Sequence, residues 1–271
     1  MNANQWQWRD GRLTCDLLAE WQHGFFTRSH APKLPNDLHN YLVPSGQAYR
    51  AKQVHGNCLI HADEIAPSPD RPLPEADGVW VTPESDRPQE NRSVWVCTAD
   101  CVPVLIGDRK LGSVAAVHAG WRGTVAGIVP KAIATLCDRG SDLKDLRVAL
   151  GPAISGKVYQ VSQDVAQQVT ATIKEPVGLY PDAHPERVKL DLRQVQLQQL
   201  QELGMFPEHV AIAPYCTLEN EELFFSYRRY FLNNPHPQPR APQVQWSGIA
   251  TSKSDRLAYT NSRKYDNTFA N

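Results

Sequence analysis

Ser113-Val114-Ala115-Ala116-Val117-His118-Ala119-Gly120-Trp121-Arg122-Gly123-Thr124 is the stretch on which the reading of the fold turns. Ser113 to Val117 is short and apolar, the make-up of a buried strand, and it ends at His118. A Gly-rich turn then feeds a helix predicted from Thr124, its N-cap, to Arg139, with Gly140 just past its end. Val125, Ile128, Val129, Ala132, Ile133, Leu136 and Cys137 recur at the spacing that puts them on one buried stripe. Upstream, Ser93 to Cys97 and Val102 to Ile106 read as two more buried strands, and downstream Leu146 to Leu150 is another, closed by Gly151-Pro152. One further helix starts at Ser162 and runs through Val165, Val169 and Ile173; a second runs from Asp191 to its stop at Gly204. Val210 to Ala213 and Leu223 to Tyr227 read as late strands. Helices and strands alternate, which gives a mixed α and β class without fixing the order of strands in a sheet.

The 271 residues carry 28 Lys+Arg against 29 Asp+Glu, a net charge of −1, so the basic surplus of an electrostatic nucleic-acid binder is missing. Apolar runs such as Val102 to Ile106 fall far short of the roughly 18 residues that span a bilayer. Met1 to Arg12 has no apolar signal core, so the expected location is the cytoplasm, with the six cysteines reduced. Proline clusters at Ala31 to Pro44, Ala66 to Pro74 and Asn233 to Pro242 mark loops, and none separates segments of different composition. The expectation is one domain over residues 1–271, with a polar tail from about Trp246.

Three segments set a metal-competent or nucleophilic side chain beside a glycine or a turn: Lys52-Gln53-Val54-His55-Gly56, Thr98-Ala99-Asp100-Cys101 and Val117-His118-Ala119-Gly120-Trp121-Arg122-Gly123. His55, Cys101 and His118 are then candidates for a three-ligand metal site with one open position, the usual catalytic zinc arrangement. A buried, hydrogen-bonded polar residue is the competing reading for each of them. The Gly-rich turn also points backbone N–H groups and a helix N-terminus at any bound anion, and Arg122 has the fork that grips phosphate.

Gln53-Val54-His55-Gly56, Ala76-Asp77-Gly78-Val79, Thr98-Ala99-Asp100-Cys101-Val102-Pro103-Val104-Leu105 and Ala115 to Thr124 together resemble the laccase-domain family, also called polyphenol-oxidase-like or YfiH-type purine nucleoside phosphorylases. Leu150-Gly151-Pro152-Ala153-Ile154, Tyr159-Gln160-Val161 and Phe224-Phe225-Ser226-Tyr227-Arg228-Arg229 continue the match in order, so that it spans roughly His23 to Arg229. The resemblance implies an α+β, four-layer α/β/β/α sandwich with mixed β-sheets. It implies a zinc on His55, Cys101 and His118, phosphorolysis of adenosine, inosine and methylthioadenosine, and adenosine deamination as a second activity. The expected partners are a small nucleoside and phosphate, without nucleic acid or membrane; oligomeric state is left open. Cys101 and His118 are also expected to be catalytic, with Asp100 as general acid/base or as an orienting group. Gln53, Arg122, Arg28 and Arg228 are the substrate-binding candidates. Two segments depart from the family pattern, Thr27-Arg28-Ser29-His30 and Tyr230-Phe231-Leu232-Asn233-Asn234, and they bear on substrate range rather than on the metal.

Three other readings stay open at this point. Cys101 with a histidine base would make an amide hydrolase, insensitive to chelators, and the resemblance implies peptidoglycan-precursor editing as its kind. Copper could load the same site in vitro and oxidise phenols, although the nine histidines contain no His-x-His pair to hold several coppers. A structural zinc would need a fourth ligand, for which Cys97 is the candidate.

Overall fold

The computed structural model describes residues 5–66, 71–83, 91–234 and 243–253. Its strands are β1 (Trp6–Arg9), β2 (Arg12–Cys15), β3 (Trp21–Phe26), β4 (Gln47–Arg50), β5 (Leu59–His61), β6 (Gly78–Val81), β7 (Arg92–Thr98) and β8 (Val102–Asp108). They continue as β9 (Val114–Ala119), β10 (Leu146–Leu150), β11 (Gln160–Ser162), β12 (Leu179–Tyr180), β13 (Arg187–Leu190), β14 (Val210–Ile212) and β15 (Gln245–Lys253). The α-helices are α1 (Pro35–Leu38), α2 (Trp121–Val125), α3 (Ile128–Asp138), α4 (Gln163–Thr170), α5 (Leu192–Glu202) and α6 (Tyr227–Asn233).

Two six-stranded sheets, ordered β1-β2-β3-β15-β7-β4 and β14-β10-β8-β9-β6-β5, stand beside a small three-stranded one, β11-β13-β12. Both large sheets are mixed: β4 runs parallel to β7 in the first, and β14 to β10 and β5 to β6 in the second, while the remaining pairs are antiparallel. The period-2 alternation of strands sorts the apolar residues into layers. Val102, Val104 and Ile106 of β8 and Ala115, Val117 and Ala119 of β9 pack against the stripe Ile128, Val129, Ala132, Ile133 and Leu136 of α3, along with α4 and α5. Their alternates Leu105, Val114 and Ala116 meet Trp21 and Phe25 of β3, Val94 and Val96 of β7 and Ile249 of β15 between the two sheets. Trp95, Trp246 and Ala250 face outward onto Leu38, Leu42 and Val43, the α1 region. The four layers α/β/β/α follow, with each fully buried Val, Leu, Ile or Phe contributing about 1.5–3 kcal/mol of transfer free energy.

Five expectations need correction. Ala31 to Pro44 is not a plain loop: it carries α1, with Pro35 at the first position of the helix, followed by a 3-10 turn over His39–Tyr41. The helix predicted from Thr124 to Arg139 is two helices: α2 starts at Trp121 with Gly120 as its N-cap, and Gly127, at φ +68°, separates it from α3. Thr124 lies inside α2, its hydroxyl donating to the Gly120 carbonyl at 2.9 Å. The apolar stripe runs unbroken across Gly127, so periodicity alone does not register the break. The Ser162 helix stops at Thr170, short of Ile173. Leu223 to Tyr227 is not a strand; turns at Asn220 lead to Ser226, whose side chain caps α6. The tail expected from about Trp246 begins as β15, in the middle of the first sheet between β3 and β7. Gln245, Ser247 and Thr251 in it are buried; the Gln245 amide exchanges hydrogen bonds with the Phe225 backbone, and the Thr251 hydroxyl accepts from Arg92 N–H. The later part of that tail, with residues 67–70 and 235–242 of the expected loops, lies outside the described residues. Ser162, Asp191 and the left-handed Gly140 and Gly204 occupy the cap and stop positions the sequence assigns them.

Candidate metal centre and substrate cleft

The register of the second sheet assembles the site. β8 and β9 pair Val102 with Ala119 and Pro103 with His118, which sets Cys101, in the turn before β8, beside the turn at Gly120. β6 pairs Gly78 with Val117, and the His118 N–H donates to the Asp77 carbonyl at 2.7 Å. His55 enters from the loop after β4, in the left-handed region at φ +61°. One ligand atom each from His55, Cys101 and His118 lies within 4.8 Å of the others, and no other such group of His, Cys, Asp or Glu occurs among the described residues. Cys97 is not part of it.

The residue that holds this arrangement is Asp77, fully buried and assigned no role from sequence. Its Oδ1 accepts from His118 Nδ1 at 2.8 Å and from the His55 N–H at 2.9 Å. Its Oδ2 accepts from the N–H groups of Gly56 at 2.7 Å and Val54 at 3.1 Å. The signal was the Ala76-Asp77-Gly78 motif itself: a carboxylate directly ahead of a buried strand needs donors, and the Val54-His55-Gly56 loop supplies them.

Electrostatics follow from these contacts. Burial pushes the Cys101 thiol up, but hydrogen bonds and charge from His118 and His55 outweigh it and bring the group down to about 7. Burial pushes the His118 imidazole down, and Asp77 and Cys101 reverse that, lifting it to about 9. Burial likewise raises the Asp77 carboxyl, yet the His118 ring and the Gly56 and Val54 N–H groups hold it below the usual range.

A cleft of about 420 Å³ opens over the cluster, within the range of small-molecule sites. His55 and Cys101 line it together with Trp121, Arg122, Tyr159, Tyr227, Arg228, Ile154 and Leu192. The exposed Arg122 lies 4.4 Å over the Trp121 ring. Arg228 lies 5.4 Å over Tyr159 and donates to the Gln160 carbonyl at 2.9 Å. Burial pushes the Tyr159 phenol up to about 12, so it stays a hydrogen-bond donor.

The other predicted residues are placed differently. Asp100 borders the cleft at φ +85°, but its carboxylate is occupied: Oδ1 accepts from the Thr217 hydroxyl at 2.6 Å, and Oδ2 from the Ser226 hydroxyl at 3.0 Å and the Arg228 N–H at 2.7 Å. Gln53 does not line the cleft; its amide both donates to and accepts from the Cys97 backbone at 2.8 Å, pinning the loop to β7. Arg28 does not line it either; it donates to the Glu221 carbonyl at 2.7 Å and lies 4.9 Å over Phe225. The α2 N-terminus is at Trp121 and the helix is five residues long, so the anion-binding N–H groups expected after Gly123 are not there.

A built Cβ on Gly120 would lie 2.8 Å from Cys101 Sγ and 3.6 Å from His55 Cδ2, so only glycine leaves this space open. Two imidazoles and a thiolate around such a space fit a borderline ion such as zinc.

Residues 37–234 match the family described as multi-copper polyphenol oxidoreductase laccase. The chain is 46% identical to a purine nucleoside phosphorylase of Synechocystis over 93% of this chain and 99% of that one. It is 38% identical to a purine nucleoside phosphorylase of Streptomyces coelicolor over 65% of this chain and 67% of that one. Its fold resembles YlmD from Geobacillus stearothermophilus, with a TM-score of 0.74 and 24% identity over 92% of this chain and 99% of that one. Bacillus licheniformis YfiH gives a TM-score of 0.70 at 22% identity over 91% and 98%. With the motifs, the layered sheets and the His-Cys-His cluster all in place, the chain belongs to the laccase-like, YfiH-type family whose curated relatives carry the name purine nucleoside phosphorylase.

Proposed function

We propose that this cleft performs phosphorolysis of the purine nucleosides adenosine, inosine and methylthioadenosine, with adenosine deamination as a second activity and zinc as the resident metal. The observation that carries the reading is the meeting, in one cleft, of the His55-Cys101-His118 cluster with two guanidinium groups laid on aromatic rings. The names of the relatives support the same class. Copper in this cluster and phenol oxidation, or a metal-free amide hydrolase, are not favoured.

In phosphorolysis a phosphate oxygen attacks the sugar C1′ as the bond from C1′ to the purine nitrogen breaks, and the base leaves with the electron pair and takes up a proton. Arg122 and Arg228 hold the phosphate charge through paired N–H donors. Trp121 and Tyr227 offer ring faces to the base, and the Tyr159 phenol donates to it or to the sugar. Asp100, with both oxygens occupied, acts as a positioning residue that ties the Cys101 turn to the backbone of Arg228. A bound ion would supply a Lewis acid and lower the pKa of water at its open position, the chemistry deamination requires. The described elements are read as one catalytic domain, and a reducing cytoplasm suits a thiolate ligand.

The test is chromatography of zinc-loaded protein incubated with adenosine, with and without phosphate. Adenine formed only with phosphate establishes the phosphorylase, and inosine establishes the deaminase. Neither product, with Cys101→Ala indistinguishable from the parent, removes the nucleoside reading. Turnover that survives chelation removes the metal from it.

A further inference from the structure

We infer that Asp77 is the positioning residue of the metal centre, setting both histidine ligands from separate chain segments through one carboxylate. The inference rests on the reading of His55, Cys101 and His118 as metal ligands. His118 comes from the end of β9 and His55 from the loop after β4, and these segments are not neighbours in a sheet. Asp77 joins them: Oδ1 takes the His118 ring N–H and the His55 backbone N–H, and Oδ2 takes the N–H groups on either side of His55. The first contact fixes the proton of His118 on Nδ1, which leaves Nε2 as the atom offered to an ion. The other three hold His55 in a left-handed backbone conformation that a non-glycine residue rarely adopts, and so fix where its ring departs from the chain.

Only a carboxylate satisfies this pattern. Its two oxygens receive four N–H donors, which uses its acceptor capacity in full, and the side chain is fully buried, so water cannot substitute. An asparagine has one oxygen. Placed with its NH₂ toward Val54 and Gly56, it sets donor against donor twice. Turned over, it opposes the His55 N–H, and the His118 ring relieves the remaining conflict only by moving its proton to Nε2, the nitrogen that should bind the ion. The conservative replacement therefore either breaks the loop that carries His55 or blocks His118.

The experiment titrates the full-length metal-free protein with Zn²⁺ alone, in competition with a chromogenic chelator, comparing the parent with Asp77→Asn. Asp77→Asn, folded by circular dichroism, is expected to bind zinc about 10–100-fold more weakly. A variant that melts at lower temperature but binds zinc as tightly as the parent assigns Asp77 a merely structural role and overturns the inference. A parent that binds no zinc overturns the metal reading instead. If the variant does not fold, nitrogen-15 spectra of the zinc-loaded parent decide: His118 protonated on Nδ1 and ligated through Nε2 is expected, and ligation through Nδ1 overturns the inference.

Discussion

His23 and His118 are both buried imidazoles, 4% and 3% exposed, on neighbouring layers of the same sandwich, yet they titrate in opposite directions. His23, on β3 of the first sheet, has only backbone partners: Nδ1 donates to the Trp21 carbonyl at 2.9 Å and Nε2 accepts from the Cys15 N–H at 2.8 Å. Burial dominates there and pushes it down to about 4. His118, on β9 of the second sheet, suffers the same burial but faces Asp77 and Cys101, and rises to about 9. Burial alone makes a neutral structural histidine; a buried carboxylate and thiol beside it favour the charged ring instead.

The comparison breaks or sharpens at three points. The largest expected effect belongs to His23. Its folded-state value lies below its ordinary one of 6.5, so its stabilisation is complete above that pH and is lost as pH falls toward about 4. Denaturant unfolding at pH 7 and pH 4 should show a loss of about 3 kcal/mol from this residue. Replacement by Gln should remove that part of the slope, and an unchanged slope would mean His23 is not held neutral. His118 has the opposite sign: in the metal-free protein its contribution is present below 6.5 and lost as pH rises through about 9.

Next in size is Gly120→Ala, which drives a methyl group against Cys101 Sγ. Overpacking of this kind costs the fold about 1–3 kcal/mol; because it pushes Sγ away from its place beside the two imidazoles, zinc affinity should also fall, by about tenfold or more. Retained affinity, measured by chelator competition, would show that the ion does not use the space between Cys101 and Gly120. The smallest effect is expected at the exposed Arg122. Arg122→Ala should raise the KM for phosphate about tenfold and leave that for nucleoside nearly unchanged. Equal changes in both would move Arg122 from the phosphate to a general wall of the cleft.

The three metal-ligand candidates were legible in the sequence because each sits beside a glycine or a turn, and the structure brings them together. Asp77 was harder to see, since its role depends on four donors from two remote segments that only strand register makes adjacent. Gln53 and Arg28 carry side chains suited to ligands, and nothing local reveals that the backbone of Cys97 and of Glu221 already uses them. The apolar runs of β8, β9 and β10 announced buried strands, whereas β15 did not, because its buried Gln245, Ser247 and Thr251 look like water-facing residues until their sheet partners are known. The same limit concealed the break at Gly127: a glycine within an amphipathic stripe signals either tolerance or a turn.

The position of β15 also governs the order in which this protein can be made. β3 and β7 are separated by more than sixty residues of chain and never touch side by side; each pairs with β15. During synthesis the first sheet therefore remains two unjoined pieces, β1-β2-β3 and β4-β7, until residues 245–253 have cleared the ribosome. The second sheet, complete by Ile212, can settle earlier, and its exposed inter-sheet face then waits for its cover. A nascent chain halted before β15 would carry His55, Cys101 and His118 without the sheet that closes over its core, a state for chaperones and proteases to sort.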